Sequence, residues 1–195
     1  MSGNDPRLDR RAAIRILLAD RGDLLVVTGL GSTSWDAASV GDDDRNFYLW
    51  GAMGAAAMTG LGIALARPDR RVLVVTGDGE ILMGLGSLAT IGVQCPPNLA
   101  IAGFDNGRYG ETGMQASHTE TAVELTGVAR ACGIEQVFDI ADEAALRQFA
   151  GLVHRAEATL FARVTIRAED APRVLPSRDG VLLKARFRRA IGVEN

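Results

Sequence analysis

Apolar positions along this chain follow two alternating patterns. Unbroken apolar runs at 24–27, 72–75 and 99–104 lack the polar alternation of a half-exposed strand. They read as strands buried on both faces. Between them lie longer segments of helical period: 10–19, with Ala13, Ile14, Leu17 and Leu18 on one face, 51–66 stopped by Pro68, and 80–93 ended by Pro96 and Pro97. Helices near 122–132 and at 143–155, with strands near 136–140 and at 160–166, continue the alternation. Fully apolar strands separated by helices predict an α/β, doubly wound fold, with a mainly parallel sheet and helices on both faces.

Composition fits one such domain. The chain has 195 residues, 47% of them hydrophobic and 23% charged, which excludes general disorder. A body over 1–167 is expected, followed by a C-terminal segment over 168–195 that carries Pro172, Pro176 and six basic residues and runs over the surface or onto a partner. Net charge is -3, and the 21 basic residues, with Lys184 the one lysine, are scattered along the chain. A nucleic-acid partner is therefore not expected. Cys95 and Cys132 form no CxxC or Cys/His cluster, so they read as two reduced thiols and not as ligands of zinc or an iron–sulfur cluster. The first 20 residues are charged throughout and do not resemble a secretory signal. The uncharged stretch 51–66 is short of the roughly 20 apolar residues that span a bilayer. A cytoplasmic protein with no membrane partner is the expectation.

Glycine, at 23 residues, exceeds the six prolines and concentrates in loops that follow strands. In open α/β sheets such loops hold ligands. The first, 28–34, contains Gly29 and Gly31 but has Ser34 where a dinucleotide fingerprint needs a third glycine, and is read as an ordinary tight turn. The second is Gly77-Asp78-Gly79-Glu80, directly before a helix. Its amides suit an anion. A lone carboxylate facing a phosphate would instead repel it, by about 4 kcal/mol per charge pair at 4 Å and an effective dielectric near 20. A divalent cation between the two reverses that sign. The third loop, Asp105-Asn106-Gly107-Arg108-Tyr109-Gly110, follows the next strand, and 26 residues separate Gly79 from Asn106. One helix and one strand fill that interval, so a right-handed crossover puts Asp78 and Asn106 at the same end of neighbouring strands. A carboxylate, an amide oxygen and a freed carbonyl would be three hard oxygen ligands for Mg²⁺.

Gly77-Asp78-Gly79 followed by Asn106 resembles the cofactor motif of the thiamin diphosphate-dependent enzymes. Leu49-Trp50-Gly51-Ala52-Met53-Gly54 is similar to the aminopyrimidine-holding segment of the diphosphate-binding (PP) domain of that family. Gly86-Ser87-Leu88-Ala89-Thr90-Ile91, Thr112-Gly113-Met114-Gln115-Ala116-Ser117-His118-Thr119, and Arg178-Asp179-Gly180 with Lys184, Arg186 and Phe187 resemble sulfopyruvate and phosphonopyruvate decarboxylases. The likeness runs from about residue 8 to residue 190.

The resemblance implies Mg²⁺ held by Asp78, Asn106 and the Arg108 carbonyl, with the diphosphate anchored on the metal. Gly77, Gly79, Glu80, Ile81, Tyr109 and Gly110 complete the implied cofactor contacts, with Gly51, Ala52 and Met53 under the aminopyrimidine. Many relatives carry a small hydroxyl residue at the position of Glu80, so a helix-stabilising role is preferred there. Met53 would be the apolar wedge that bends the cofactor, and the Gly51 carbonyl would accept from its amino group. His118 is equally a general acid, an anion contact or a surface residue. His154 reads as structural. The glutamate that activates the pyrimidine belongs to a separate Pyr domain, so the resemblance implies one half of a hetero-oligomer, inactive without an alpha subunit. The implied substrate is a small anionic 2-oxo acid, most closely 3-sulfopyruvate or 3-phosphonopyruvate, giving an aldehyde and CO2. A different decarboxylase or a carboligase, a nicotinamide oxidoreductase resting on Gly29 and Gly31, and a non-catalytic scaffold subunit stay open on sequence alone.

Overall fold

The computed structural model describes residues 5–155 and 157–193. In chain order it contains α1 (Arg10–Leu18), β1 (Leu25–Thr28), α2 (Ser32–Ser39), β2 (Asn46–Tyr48), α3 (Ala56–Ala66), β3 (Val72–Gly77), α4 (Asp78–Met83), α5 (Ser87–Gln94) and β4 (Leu99–Asp105). The hairpin β5 (Arg108–Tyr109) and β6 (Gln115–Ala116) follows, then α6 (Leu125–Ala131), β7 (Gln136–Ile140), α7 (Glu143–Arg155), β8 (Leu160–Thr165) and α8 (Gly180–Ala190).

Six strands form one parallel sheet in the order β2-β1-β3-β4-β8-β7. Alternate side chains of these apolar strands face opposite layers, as a period of two requires. Leu24, Val26, Leu73, Val75 and Ala102 pack against α1, α2 and α7 through Ile14, Leu17, Ala37, Leu146 and Phe149. Leu25, Val27, Val74, Ile101 and Phe161 pack against α3, α5 and α6 through Ala57, Leu61, Leu88, Ile91, Leu125 and Ala129. The doubly wound expectation is met. After β1 the chain turns to one edge through α2, and after β3 it turns to the other through α4 and α5. The carboxyl ends of β1 and β3 therefore flank a crevice at the topological switch point.

Four segments differ from the sequence expectation. The helix predicted over 51–66 starts at Ala56, because Ala52 and Gly54 adopt positive φ angles of 55° and 90° and close a turn in which the Ala55 amide donates to the Ala52 carbonyl at 2.9 Å. The helix predicted over 80–93 breaks between α4 and α5, where Gly84 lies against the Gly54 backbone so closely that a Cβ would strike the Gly54 carbonyl. The tight turn at Gly29–Gly31 opens α2, with Gly31 at φ 70° as its N-cap. Finally, the C-terminal segment ends in α8, which covers β2: Phe187 is buried, its ring centroid 5.2 Å from that of Phe47, and Arg186 forms a two-pronged ion pair with Asp42 at 2.7 and 2.8 Å. Among the described residues no helix is long and apolar enough to cross a membrane.

Candidate functional site

Register builds the centre of the site. Gly77 pairs with Phe104, so Asp78 and Asp105 leave β3 and β4 side by side, with Asn106 one step further. Asp78 is 2% exposed and accepts from the Ser117 hydroxyl and, at 3.2 Å, from Thr119 Oγ1. Burial lifts its pKa above the usual carboxylate range; the Ser117 hydroxyl opposes that shift and the neighbouring Asp105 adds to it. None of the described Arg or Lys side chains reaches it, so Asp78 is a buried carboxylate without a cationic partner. Asp105 differs: Arg163 Nε donates to it at 2.6 Å, and Thr119 Oγ1 donates at 2.8 Å.

Asn106 Oδ1 accepts from the Arg108 amide at 2.9 Å, a turn that aims the loop back over the strand tips. In the β5–β6 hairpin Arg108 stands opposite Ala116, and the adjacent ladder bond runs from the Ser117 amide to the Gly107 carbonyl. Bonded and unbonded pairs alternate in antiparallel ladders, so the Arg108 carbonyl points away from the hairpin. Its guanidinium is engaged elsewhere, with Glu120 at 3.0 Å.

Tyr109 lies over Gly79: a Cβ there would stand 2.5 Å from the ring and 3.6 Å from Met53 Cε. Met53 is 38% exposed and Gly51 and Ala52 lie on the surface beside it. His118 is exposed in a short 3-10 turn, its Nδ1 3.3 Å from the Tyr109 hydroxyl. Gly110, also exposed, begins the 3-10 turn after Tyr109. Ile81 is buried in α4. The Glu80 carboxylate is directed at backbone, with Oε1 3.3 Å from the Ala56 amide. His154 lies remote from these residues and meets Arg71 Nη1 through Nδ1 at 3.0 Å.

Met53, Gly77, Asp78, Gly79, Glu80, Asn106, Arg108, Tyr109 and Gly110 border one cleft of about 230 Å³ that opens to solvent. Its opposite wall is the start of α2, where Ser32 and Thr33 lie. Sequence reasoning assigned no role to Ser32, Thr33, Ser117, Thr119 or Arg163. The signal for the α2 wall was the strand–glycine–hydroxyl order at 28–34; the Ser117 and Thr119 contacts join segments about 40 residues apart and had none.

A family model described as "Thiamine pyrophosphate enzyme, C-terminal TPP binding domain" matches residues 30–166. The chain belongs to this family. The match runs from just after β1 to just after β8 and includes most of the residues that border the cleft. The nicotinamide reading of Gly29 and Gly31 falls with that assignment. The chain is 36% identical over 167 residues to the sulfopyruvate decarboxylase subunit beta of Methanocaldococcus jannaschii, covering 86% of this chain and 88% of that one. It is 34% identical to the subunit of the same name from Methanococcus maripaludis, over 94% and 98% of the two chains. A phosphonopyruvate decarboxylase from Streptomyces viridochromogenes is 47% identical over 132 residues, which are 67% of this chain and 33% of that protein. In fold it resembles a putative thiamin diphosphate-dependent enzyme from Mycobacterium smegmatis, with a TM-score of 0.71 at 18% identity, over 84% of this chain and 32% of the other.

Proposed function

We propose that this chain is the diphosphate-binding subunit of a thiamine diphosphate- and Mg²⁺-dependent decarboxylase whose substrate is a 2-oxo acid with a second strong acid group, 3-sulfopyruvate or 3-phosphonopyruvate. The observation that supports this most is the uncompensated Asp78 carboxylate beside Asn106 and an outward-pointing Arg108 carbonyl, at adjoining strand tips on one cleft. Hard oxygen donors with no thiolate or imidazole among them fit Mg²⁺ and leave positions for phosphate oxygens and water. A cation there would also offset the charge that burial penalises in Asp78.

Thiamine diphosphate, when bound, supplies the electron sink for the carbanion left by loss of CO2. Asp78, Asn106 and the Arg108 carbonyl would hold its metal. Gly77, Gly79, Ile81, Tyr109 and Gly110 would frame the diphosphate end, with Glu80 turned inward onto the Ala56 amide, and Gly51, Ala52 and Met53 the other end, with Met53 as apolar support and the Gly51 carbonyl as acceptor. His118, joined to the Tyr109 hydroxyl at the mouth, is the candidate proton donor. The net change is a 2-oxo carboxylate plus one proton giving the aldehyde and CO2.

A second subunit carrying the pyrimidine-activating glutamate completes the site. Two features support this. Both residue 53, the proposed wedge, and faces of α3, α4 and α5 are uncovered: Met58, Leu65, Met83 and Val93 are exposed, Val93 by 81%, and 51–66 and 81–97 contain no charge. The relatives of nearly equal length are also named as beta subunits. Copurification of the chain from its source, followed by assay of CO2 release from 3-sulfopyruvate, 3-phosphonopyruvate and pyruvate, tests the reading. Turnover is expected for the assembly with Mg²⁺ and thiamine diphosphate, and none for the chain alone or for Asp78→Ala. A cofactor-independent rate, or full activity of the isolated chain, would refute it.

A further inference from the structure

The turn that precedes α3 cannot cap its own helix. Residues 51–55 are Gly-Ala-Met-Gly-Ala, none of which has a side-chain acceptor, and the N-cap residue Ala55 makes no side-chain hydrogen bond. Four amides at a helix start lack intrahelical partners; here the Ala52 carbonyl takes the Ala55 amide at 2.9 Å, and the amide of the fully buried Ala56 needs an acceptor from elsewhere. Glu80 supplies one from a different element. Its Oε1 accepts from the Ala56 amide at 3.3 Å. Its second oxygen occupies the space a Cβ on Gly29 would need, so the β1–α2 loop is built flush against it. Glu80 is 5% exposed. The Glu80 carboxylate thus touches both the start of α3 and the β1–α2 loop, while the far end of α4 grips the turn before α3 through the Gly54–Gly84 backbone contact.

A carboxylate turned inward onto amides is not placed to touch a phosphate, which it would repel. We propose that Glu80 is a positioning residue: it caps α3 from across the cleft and thereby fixes the 51–55 turn, and Met53 with it, relative to the metal-binding loop that starts one residue before Gly79. Helix α4 is then a two-point clamp, linking the diphosphate end of the cofactor site to its aminopyrimidine end. The inference rests on the reading of residues 51–53 as the aminopyrimidine-holding turn.

The test uses the copurified assembly, with Glu80→Ala and Glu80→Gln, amide hydrogen exchange followed by mass spectrometry, and calorimetric titration with thiamine diphosphate in excess Mg²⁺. Loss of a helix cap corresponds to roughly a five- to thirtyfold faster local opening. Exchange in peptides covering 51–58 is expected to rise by about that factor in Glu80→Ala, with peptides from β3 and β4 unchanged, and cofactor affinity is expected to fall by a similar factor. Glu80→Gln falls between, since one carbonyl oxygen is kept while its NH2 group meets amide donors. Asp78→Ala is expected to abolish cofactor binding without changing exchange at 51–58. A uniform rise in exchange along the chain, wild-type exchange at 51–58, or cofactor affinity within twofold of wild type in Glu80→Ala would each overturn the proposal. If Glu80→Ala does not assemble, Glu80→Gln decides by the same criteria. If the wild-type assembly binds no thiamine diphosphate, the functional reading fails, and the exchange comparison still judges the cap by itself.

Discussion

The Ser117 hydroxyl donates to Asp78 Oδ2 across 39 residues of sequence, and Thr119 Oγ1 joins that carboxylate to Asp105. Hydroxyl groups are the whole of its side-chain support, so the ionised form of Asp78 is stabilised incompletely in the absence of a cation. Its pKa is raised above 3.8, burial being the main cause. The folded state therefore binds the proton more tightly than the unfolded state does, and the contribution of this group to stability falls as pH rises from 3.8 through the raised native value. Asp78→Asn is expected to raise the melting temperature of the metal-free protein at pH 7, by about 2–4 °C per kcal/mol of relieved desolvation. The gain should vanish near pH 3.5, and only the wild type should be stabilised further by Mg²⁺. Thermal scans at both pH values, with and without the cation, decide this; a lower melting temperature for the variant at pH 7 would count against it.

Gly79 and Gly86 separate a functional glycine from a replaceable one. A Cβ at Gly79 would lie 2.5 Å from the Tyr109 ring, which cannot yield without shifting the loop that carries Asn106 and Arg108. At Gly86 a Cβ meets nothing within 4 Å, and the residue is already helical, with φ -60° and ψ -18°. Gly79→Ala is expected to weaken thiamine diphosphate binding at least tenfold. Gly86→Ala should leave binding unchanged and stabilise the fold by about 0.4–1 kcal/mol. Calorimetric titration and urea unfolding of the two variants provide the comparison.

The β3 and β4 strands and the Asp78–Asn106 pairing were legible in the sequence because strands buried on both faces have to be apolar throughout, and because one crossover fixes where the next strand ends. Helix α2 was not. Its sequence, Ser-Thr-Ser-Trp-Asp-Ala-Ala-Ser, has no apolar period, and buried polar groups hold it: Asp36 accepts from Arg10 Nε at 2.6 Å, 26 residues away, and the Thr33 and Ser34 hydroxyls donate to the Gly29 carbonyl just before the helix. The α3 start was misplaced for a related reason, since its acceptor, Glu80, is 24 residues away. At the strand tips, the residue types and their spacing could be read, whereas the Ser117 and Thr119 contacts to Asp78 are long-range and belong to the tertiary structure alone.

Arg163 offers a charge test of the same region. Its Nε donates to Asp105, whose side chain is 2% exposed, and its Nη1 lies 3.6 Å from Asp139. Arg163→Gln would leave the Asp105 charge buried with only Thr119 and the Gly107 amide as donors, beside Asp78. Removing one partner of a buried pair costs about 3–5 kcal/mol, and the partial exposure of Arg163 puts the expected loss at or below the lower end. Urea unfolding of the variant and the wild type at pH 7 measures that loss, and a deficit well below about 1 kcal/mol would show that Asp105 does not depend on Arg163.

The segment leading into α8 is tied to the 51–55 turn through Trp50, whose Nε1 donates to the Ser177 carbonyl at 2.6 Å directly beside Gly51. Docking of α8 depends on Phe187, 5% exposed, on Leu183 one turn earlier, and on the Arg186–Asp42 pair. Truncating a buried phenylalanine costs about 3–5 kcal/mol, and here it also strips the cover from Phe47 on the edge strand β2. Phe187→Ala is accordingly expected to lower the urea midpoint substantially, whereas Arg186→Met, which removes a pair whose acid partner is 44% exposed, should cost less than about 1 kcal/mol. Release of α8 also removes the anchor for residue 50, so cofactor affinity should drop in Phe187→Ala even at urea-free conditions where the fold persists. A Phe187→Ala protein that loses stability yet binds thiamine diphosphate like the wild type would confine the tail to the sheet edge and sever it from the site.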